Sequence, residues 1–120
     1  MANIFIDSNF LFDVTERDVT KRKMLDNNTV FVSALSYHIL FYTYKYKVPQ
    51  SQVSEYKSQF YIVDLSDKVL TDAMTGPSSD LEDNIQLHSA ADIEADYFLT
   101  TDKRLLKLKY FGKMKIIEAL

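Results

Sequence analysis

The sequence contains no cysteine. That excludes a disulfide framework, a thiol nucleophile and cysteine-ligated zinc, and it accords with a reducing compartment. No apolar run approaches the roughly 18 residues of a membrane span, and the first residues lack a basic segment followed by an apolar one. The expectation is a cytoplasmic protein with no membrane association. Internal repeats, low-complexity stretches and linkers are also missing, so residues 1–120 are expected to form a single domain, long enough to bury a core. The chain is not strongly basic either: a net charge of -3 argues against a simple nucleic-acid coat. His38 and His88 have no ligand-pair spacing, which argues against a zinc hydrolase and leaves both as surface or packing residues.

What is present points to a folded globular domain. Hydrophobic residues make up 47% of the chain, with 8 Phe and 8 Tyr, far from the composition of a disordered segment. The charges are segregated. Basic residues gather at Lys21–Lys23 and again from Lys103 to Lys115, while acids gather at Asp80, Glu82 and Asp83 and between Asp92 and Asp102. Solvated helix faces account for most such runs. An acidic pocket with a basic surround would instead hold a metal ion and attract phosphates.

Short, mostly apolar runs recur as strands covered on both faces: "NIFI", "TVFVS" (29–33), "FYIVDL" (60–65), "DYFLTT" (96–101) and "KMKIIEA" (113–119). Between them lie helical stretches. "SALSYHILFYTYKYK" places Leu35, Ile39, Tyr42 and Tyr46 at helical spacing and is closed by Pro49. "QSQVSEYKSQ" is a polar amphipathic helix, and "SDKVLTDAMT" starts at a Ser66 or Asp67 cap and stops at Gly76-Pro77. "LEDNIQLHSAADIEA" follows an Asp80 or Ser79 cap. The alternation predicts a three-layer α/β/α sandwich around a mainly parallel five-stranded sheet.

In such sheets ligands gather at the carboxyl ends of the strands. Asp7 follows the buried run Ile4-Phe5-Ile6 directly, and an ionised carboxylate there is costly without a partner. Asp102 lies just past the fourth strand, Asp83 in the first turn of the preceding helix, and Asp96 at that strand's opening. Converging carboxylates repel and raise one another's pKa. A hard divalent cation such as Mg²⁺ or Mn²⁺ resolves that conflict with oxygen ligands.

Three motifs in order carry a family resemblance over nearly the whole chain. They are "IFIDSNFLFDV…R", "VSALSYHILFY" and "DLEDNIQLHSAADIEADYFLTTDKRLL". Together they resemble the PIN-domain nucleases. The first matches an apolar strand followed by Asp7, Ser8 and Asn9. The third, the most specific, sets Asp80, Asp83, Gln86 and Ala90 on a helix before Asp96, an apolar strand, Thr100 and Asp102. The resemblance implies a PIN-like fold and a metal-dependent ribonuclease, often the toxin of a bacterial toxin–antitoxin pair, with RNA as substrate and an antitoxin as partner. It implies Asp7, Asp83, Asp102 and Asp96 as catalytic metal-holding carboxylates. Asn9, Ser33, Asp80 and Thr100 would orient them, and Lys103 and Arg104 would hold RNA phosphates.

One position departs from the pattern. About six residues beyond Ser33, where such proteins usually carry Glu, this chain has Ile39. Ser36 and His38 point to other sides of that helix. A catalytically impaired PIN-like domain that binds RNA or protein is therefore the second expectation. A receiver domain lacks its acidic pair beside Asp7, although Asp64 imitates its phosphorylated Asp; a haloacid-dehalogenase-type phosphatase needs a second Asp where Asn9 stands. The aromatic stripe "YHILFYTYKY" exceeds what one core-facing helix stripe requires, which points to a homodimer or partner surface.

Overall fold

The computed structural model describes residues 1–120. Six strands form one sheet in the order β3-β2-β1-β4-β6-β5. They are β1 (Asn3–Ile6), β2 (Thr29–Ser33), β3 (Tyr61–Val63), β4 (Tyr97–Leu99), β5 (Tyr110–Phe111) and β6 (Met114–Ile117). All neighbours pair in parallel except β5 with β6. The helices are α1 (Ser8–Phe12), α2 (Ala34–Tyr44), α3 (Ser51–Gln59), α4 (Asp67–Ala73), α5 (Leu81–Asp92) and α6 (Lys103–Leu106). After α1 the chain widens into a π turn over Asp13–Arg17 and tightens into 3₁₀ turns over Val19–Leu25. No helix is long and apolar enough to cross a membrane.

Strand alternation explains the three layers. Ile4 and Ile6 of β1, Val30 and Val32 of β2 and Leu99 of β4 point to one face, where Phe10, Leu40 and Val53 from α1, α2 and α3 cover them. Phe5, Phe98 and Ile116 point to the other, beneath Leu87 and Ala90 of α5 and Leu105 of α6. Helix α4 rests on α5 through Val69, Ala73 and Ile85. Phe5 and Phe98 stack with ring centroids 5.4 Å apart across β1 and β4. Truncating either ring to Ala removes packing worth about 3–5 kcal/mol.

The caps of α4 and α5 match the sequence reading, and Ser33 adds one for α2 that the reading does not name. Ser33 caps α2, Ser66 caps α4 and Asp80 caps α5, each accepting a backbone N–H of the first turn. Lys45 ends α2 in the left-handed conformation before Pro49 is reached. The sheet differs from expectation by one strand. Tyr110–Phe111 turns back on β6 through Gly112, whose φ of 62° suits a tight hairpin. Two residues are too few to reveal a strand by alternation.

The topology fixes the site. From β1 the sheet grows to β2 and β3 on one side, then the chain crosses to β4 and β6 on the other. The crevice between the carboxyl ends of β1 and β4 is thus the topological switch point, where helices diverge to opposite faces.

Candidate functional site

Asp7 emerges from β1 into that crevice and is 4% exposed. It caps α1: Oδ1 accepts the Phe10 N–H at 2.8 Å. Its other oxygen accepts the Thr100 hydroxyl at 2.6 Å, and Thr100 in turn accepts the Asp102 N–H at 3.0 Å. Thr100 therefore ties the ends of β1 and β4 together. Asp102 caps α6 through the Arg104 N–H at 2.8 Å, and Asp83 stands in the first turn of α5, its own N–H held by Asp80 at 3.0 Å.

These carboxylates act on one another. Burial pushes the Asp7 pKa up to about 6 against the lowering hydrogen bonds from Thr100 and Phe10, and the charges of Asp83 and Asp102 push the same way as burial. Burial, then Asp80 and Asp102, push Asp83 up to about 6. Burial alone would also raise Asp102, but the hydrogen bonds and charge of Arg104 outweigh it and hold that carboxyl below its usual range. The Arg104 guanidinium lies 3.6 Å from Asp83 Oδ2 and 3.2 Å from Asp102 Oδ2.

A buried polar network sets the spacing. The Ser8 and Ser36 hydroxyls are 2.9 Å apart, and Gln86 Nε2 donates to both at 3.0 Å. Gln86 lies one helical turn beyond Asp83 on α5, and Ser8 is next to Asp7. The amide thus pins α5 to the start of α1 and with it the separation of Asp83 from Asp7. Sequence reading matched Gln86 and Ser8 to the motif without assigning them this contact. Ser36, fully buried, was set aside as pointing to another side of α2 from Ile39, and that side is the one that meets Ser8 and Gln86.

One expected site residue, Asp96, stands elsewhere, while Asn9 and Ser33 stay at the carboxyl edge. Asp96 precedes β4 at the amino edge of the sheet: its Oδ2 accepts the Asn3 N–H at 2.9 Å, and its own N–H donates to Asn3 O at 2.8 Å. The three residues of β4 separate it from Thr100 by roughly 13 Å. It closes the start of β1 onto β4 and does not join the other carboxylates. Asn9 is exposed, and its carbonyl accepts from Arg17 at 2.7 Å. Ser33 spends its hydroxyl on the Leu35 N–H at 3.1 Å. Asp80 orients Asp83 through the backbone, as described, and Thr100 holds Asp7 directly. Ile39 packs half-buried against the first core cluster and adds no oxygen. His38 is exposed, while His88 bonds to Gly76 O at 2.9 Å and packs edge-on against Phe111.

The donor chemistry fits a hard divalent cation: one buried and two half-buried carboxylates that repel one another, without soft or imidazole ligands. As the side chains stand, no three such groups are gathered closely enough to hold an ion. Asp83 and Asp102 are instead drawn to Arg104.

Thr100→Val tests the joint between the strands. It keeps the shape but leaves Asp7 Oδ2 and the Asp102 N–H without their partner. Denaturant unfolding should show a loss of about 1–3 kcal/mol. Unchanged stability would mean that the bridge is not formed in solution.

The fold is PIN-like: a mainly parallel sheet between helical layers, with Asp7, Asp83 and Asp102 at the carboxyl edge. No family model and no curated protein matches the sequence. Among solved structures, a chain of VapBC2 from Rickettsia felis, crystallised bound to a DNA fragment from the promoter, superposes with a TM-score of 0.70. The match spans 96% of this chain and 97% of that one, at 18% sequence identity.

Proposed function

We propose that this protein is a cytoplasmic, metal-dependent endoribonuclease, the toxin member of a toxin–antitoxin pair. The observation that carries the reading is Asp7, buried at the switch point and electrostatically coupled to Asp83 and Asp102. These three carboxylates would hold Mg²⁺ or Mn²⁺. The bound ion supplies a water of lowered pKa and offsets charge developing on the phosphate oxygens.

The chain's own residues do the rest. Thr100 fixes the rotamer of Asp7, and the Ser8–Ser36–Gln86 network fixes the distance to Asp83. Lys103 and Arg104, both exposed at the start of α6, contact phosphates flanking the scissile bond of single-stranded or looped RNA. The likeness to a chain of a VapBC2 complex supports a protein partner for this one. Tyr42, 80% exposed on α2 beside Phe41 and Tyr46, offers apolar surface for an antitoxin or a second copy.

A second reading, an inactive PIN-like binding module, rests on Ile39 and on the open arrangement of the carboxylates. One experiment separates the two. Incubation with single-stranded RNA should give cleavage in Mn²⁺, none in EDTA, and none with Asp7→Asn. Cleavage that survives complete chelation sinks the metal mechanism. An intact protein that neither cuts a broad RNA panel nor binds Mn²⁺ in calorimetry establishes the binding module instead.

A further inference from the structure

Arg104 occupies a position that a simple phosphate clamp would not. Its Nη2 donates to Asp102 Oδ2 at 3.2 Å and lies 3.6 Å from Asp83 Oδ2, bridging two helices that approach the crevice separately. The two carboxylates are only 17% and 19% exposed, whereas the Arg104 side chain is 73% exposed. The guanidinium therefore enters from solvent with its tip alone. Its only hydrogen bond is to Asp102, and its cationic face rests on no ring, unlike those of Arg17 and Arg22. Nothing else anchors it, so rotation about its side-chain torsions withdraws it.

We infer that Arg104 is a resident counter-cation for the Asp83–Asp102 pair, which a divalent ion displaces on binding and which then turns to the substrate phosphate. This rests on the metal-dependent reading of the site. A guanidinium has donors and no lone pair, so it cannot join a coordination shell. It occupies the carboxylate oxygens that the ion requires and adds a like charge beside them. Released, it stays within reach of the rim and presents a fork suited to a phosphate. The same side chain thus keeps the carboxylates compensated in the metal-free protein and is freed for RNA when the site is loaded. It also accounts for the lack of a closed cage: two of the three ligands are held by the competitor.

Competition makes a prediction opposite in sign to that for a structural or ligand-supporting residue. Mn²⁺ is titrated by calorimetry at one pH into the wild type, Arg104→Gln, Lys107→Gln and Asp83→Asn. Lys107 is an exposed cation at the opposite end of the same short helix with no carboxylate partner, so it reports the bulk effect of losing one positive charge. Melts in EDTA verify that each variant is folded. Arg104→Gln should bind Mn²⁺ about three- to tenfold tighter, the scale of the exposed ion pairs that no longer compete. Lys107→Gln should shift affinity less than about twofold, and Asp83→Asn should weaken it strongly. If wild-type binding depends on Asp83 while Arg104→Gln binds equally or more weakly, the counter-cation role is overturned and the metal site stands. An equal gain in Lys107→Gln overturns that role too, by assigning the effect to net charge. If Mn²⁺ binding does not depend on Asp83 in any of these proteins, both the inference and the metal reading fall.

Discussion

Replacing Asp83 with Asn should leave the metal-free protein at least as stable as the wild type and remove nearly all of its protection by Mn²⁺. Near neutral pH Asp83 is a carboxylate in a costly place: burial, Asp80 and Asp102 all act against its charge. Two unit charges about 5 Å apart at an effective dielectric near 20 repel by roughly 3 kcal/mol. The exposed Arg104 returns only about 0.2–1 kcal/mol of that. Asparagine keeps the shape and removes the charge, so the balance favours the variant in EDTA. Mn²⁺ at a hundred times its Kd should protect the wild type by about 2.7 kcal/mol. Even the outer partners of metal sites are worth about 10–100-fold in affinity or activity, so a direct ligand should cost at least about 100-fold in both. At the same Mn²⁺ concentration the variant's protection then falls to roughly 0.4 kcal/mol. If Asp83 only complements the dipole of α5, the variant should lose about 0.3–1 kcal/mol in EDTA and respond to Mn²⁺ as the wild type does. Melts of both proteins in EDTA and in Mn²⁺ separate these outcomes.

The metal-free protein should also lose roughly 2–3 kcal/mol of stability through Asp7 alone as pH rises from about 4 to about 7. The Asp7 carboxyl titrates near 6 in the folded state against 3.8 ordinarily, and each unit is worth about 1.4 kcal/mol. Its folded-state pKa lies above its unfolded one. The folded protein therefore binds more protons in between, and the contribution is complete below about 4 and gone above about 6. Asp83 slopes the same way, whereas Asp102 slopes the opposite way because Arg104 lowers it. The informative quantity is thus the difference between wild type and Asp7→Asn across pH. That difference should move in favour of the variant as pH rises, since Asn cannot ionise and keeps the acceptor for the Phe10 N–H. Mn²⁺ should reverse the trend in the wild type: ligand carboxylates must be deprotonated, so protection grows through pH 6. A flat difference curve would mean that water reaches Asp7 and that its burial is not retained in solution.

Much of this was written in local sequence. Ile4-Phe5-Ile6 alternates across the sheet because successive side chains point to opposite faces, so one run both predicts β1 and supplies two cores. Ser66 and Asp80 announce helix starts because a short oxygen-bearing side chain reaches a first-turn N–H from almost any surroundings. Asp7, Asp83, Thr100 and Asp102 were legible for the same reason: each sits at an element's end, and in a parallel sheet those ends share an edge.

What the sequence left open depends on distance through space. Asp96 and Asp102 lie on the same short segment, yet the extended residues of β4 carry them to opposite edges, and a shift of two or three residues in the strand boundary hides this. The hairpin at Gly112 is too short to show a period. The Ser8–Ser36–Gln86 network joins residues 50 and 78 positions apart, and nothing in their neighbourhoods names the partner. Arg104 read only as a cation for RNA phosphates until the fold brought α5 and α6 together and set it between Asp83 and Asp102. Local chemistry determined which residues could carry charge at the strand ends. Only the packing of helices across the switch point decided which of those charges face one another.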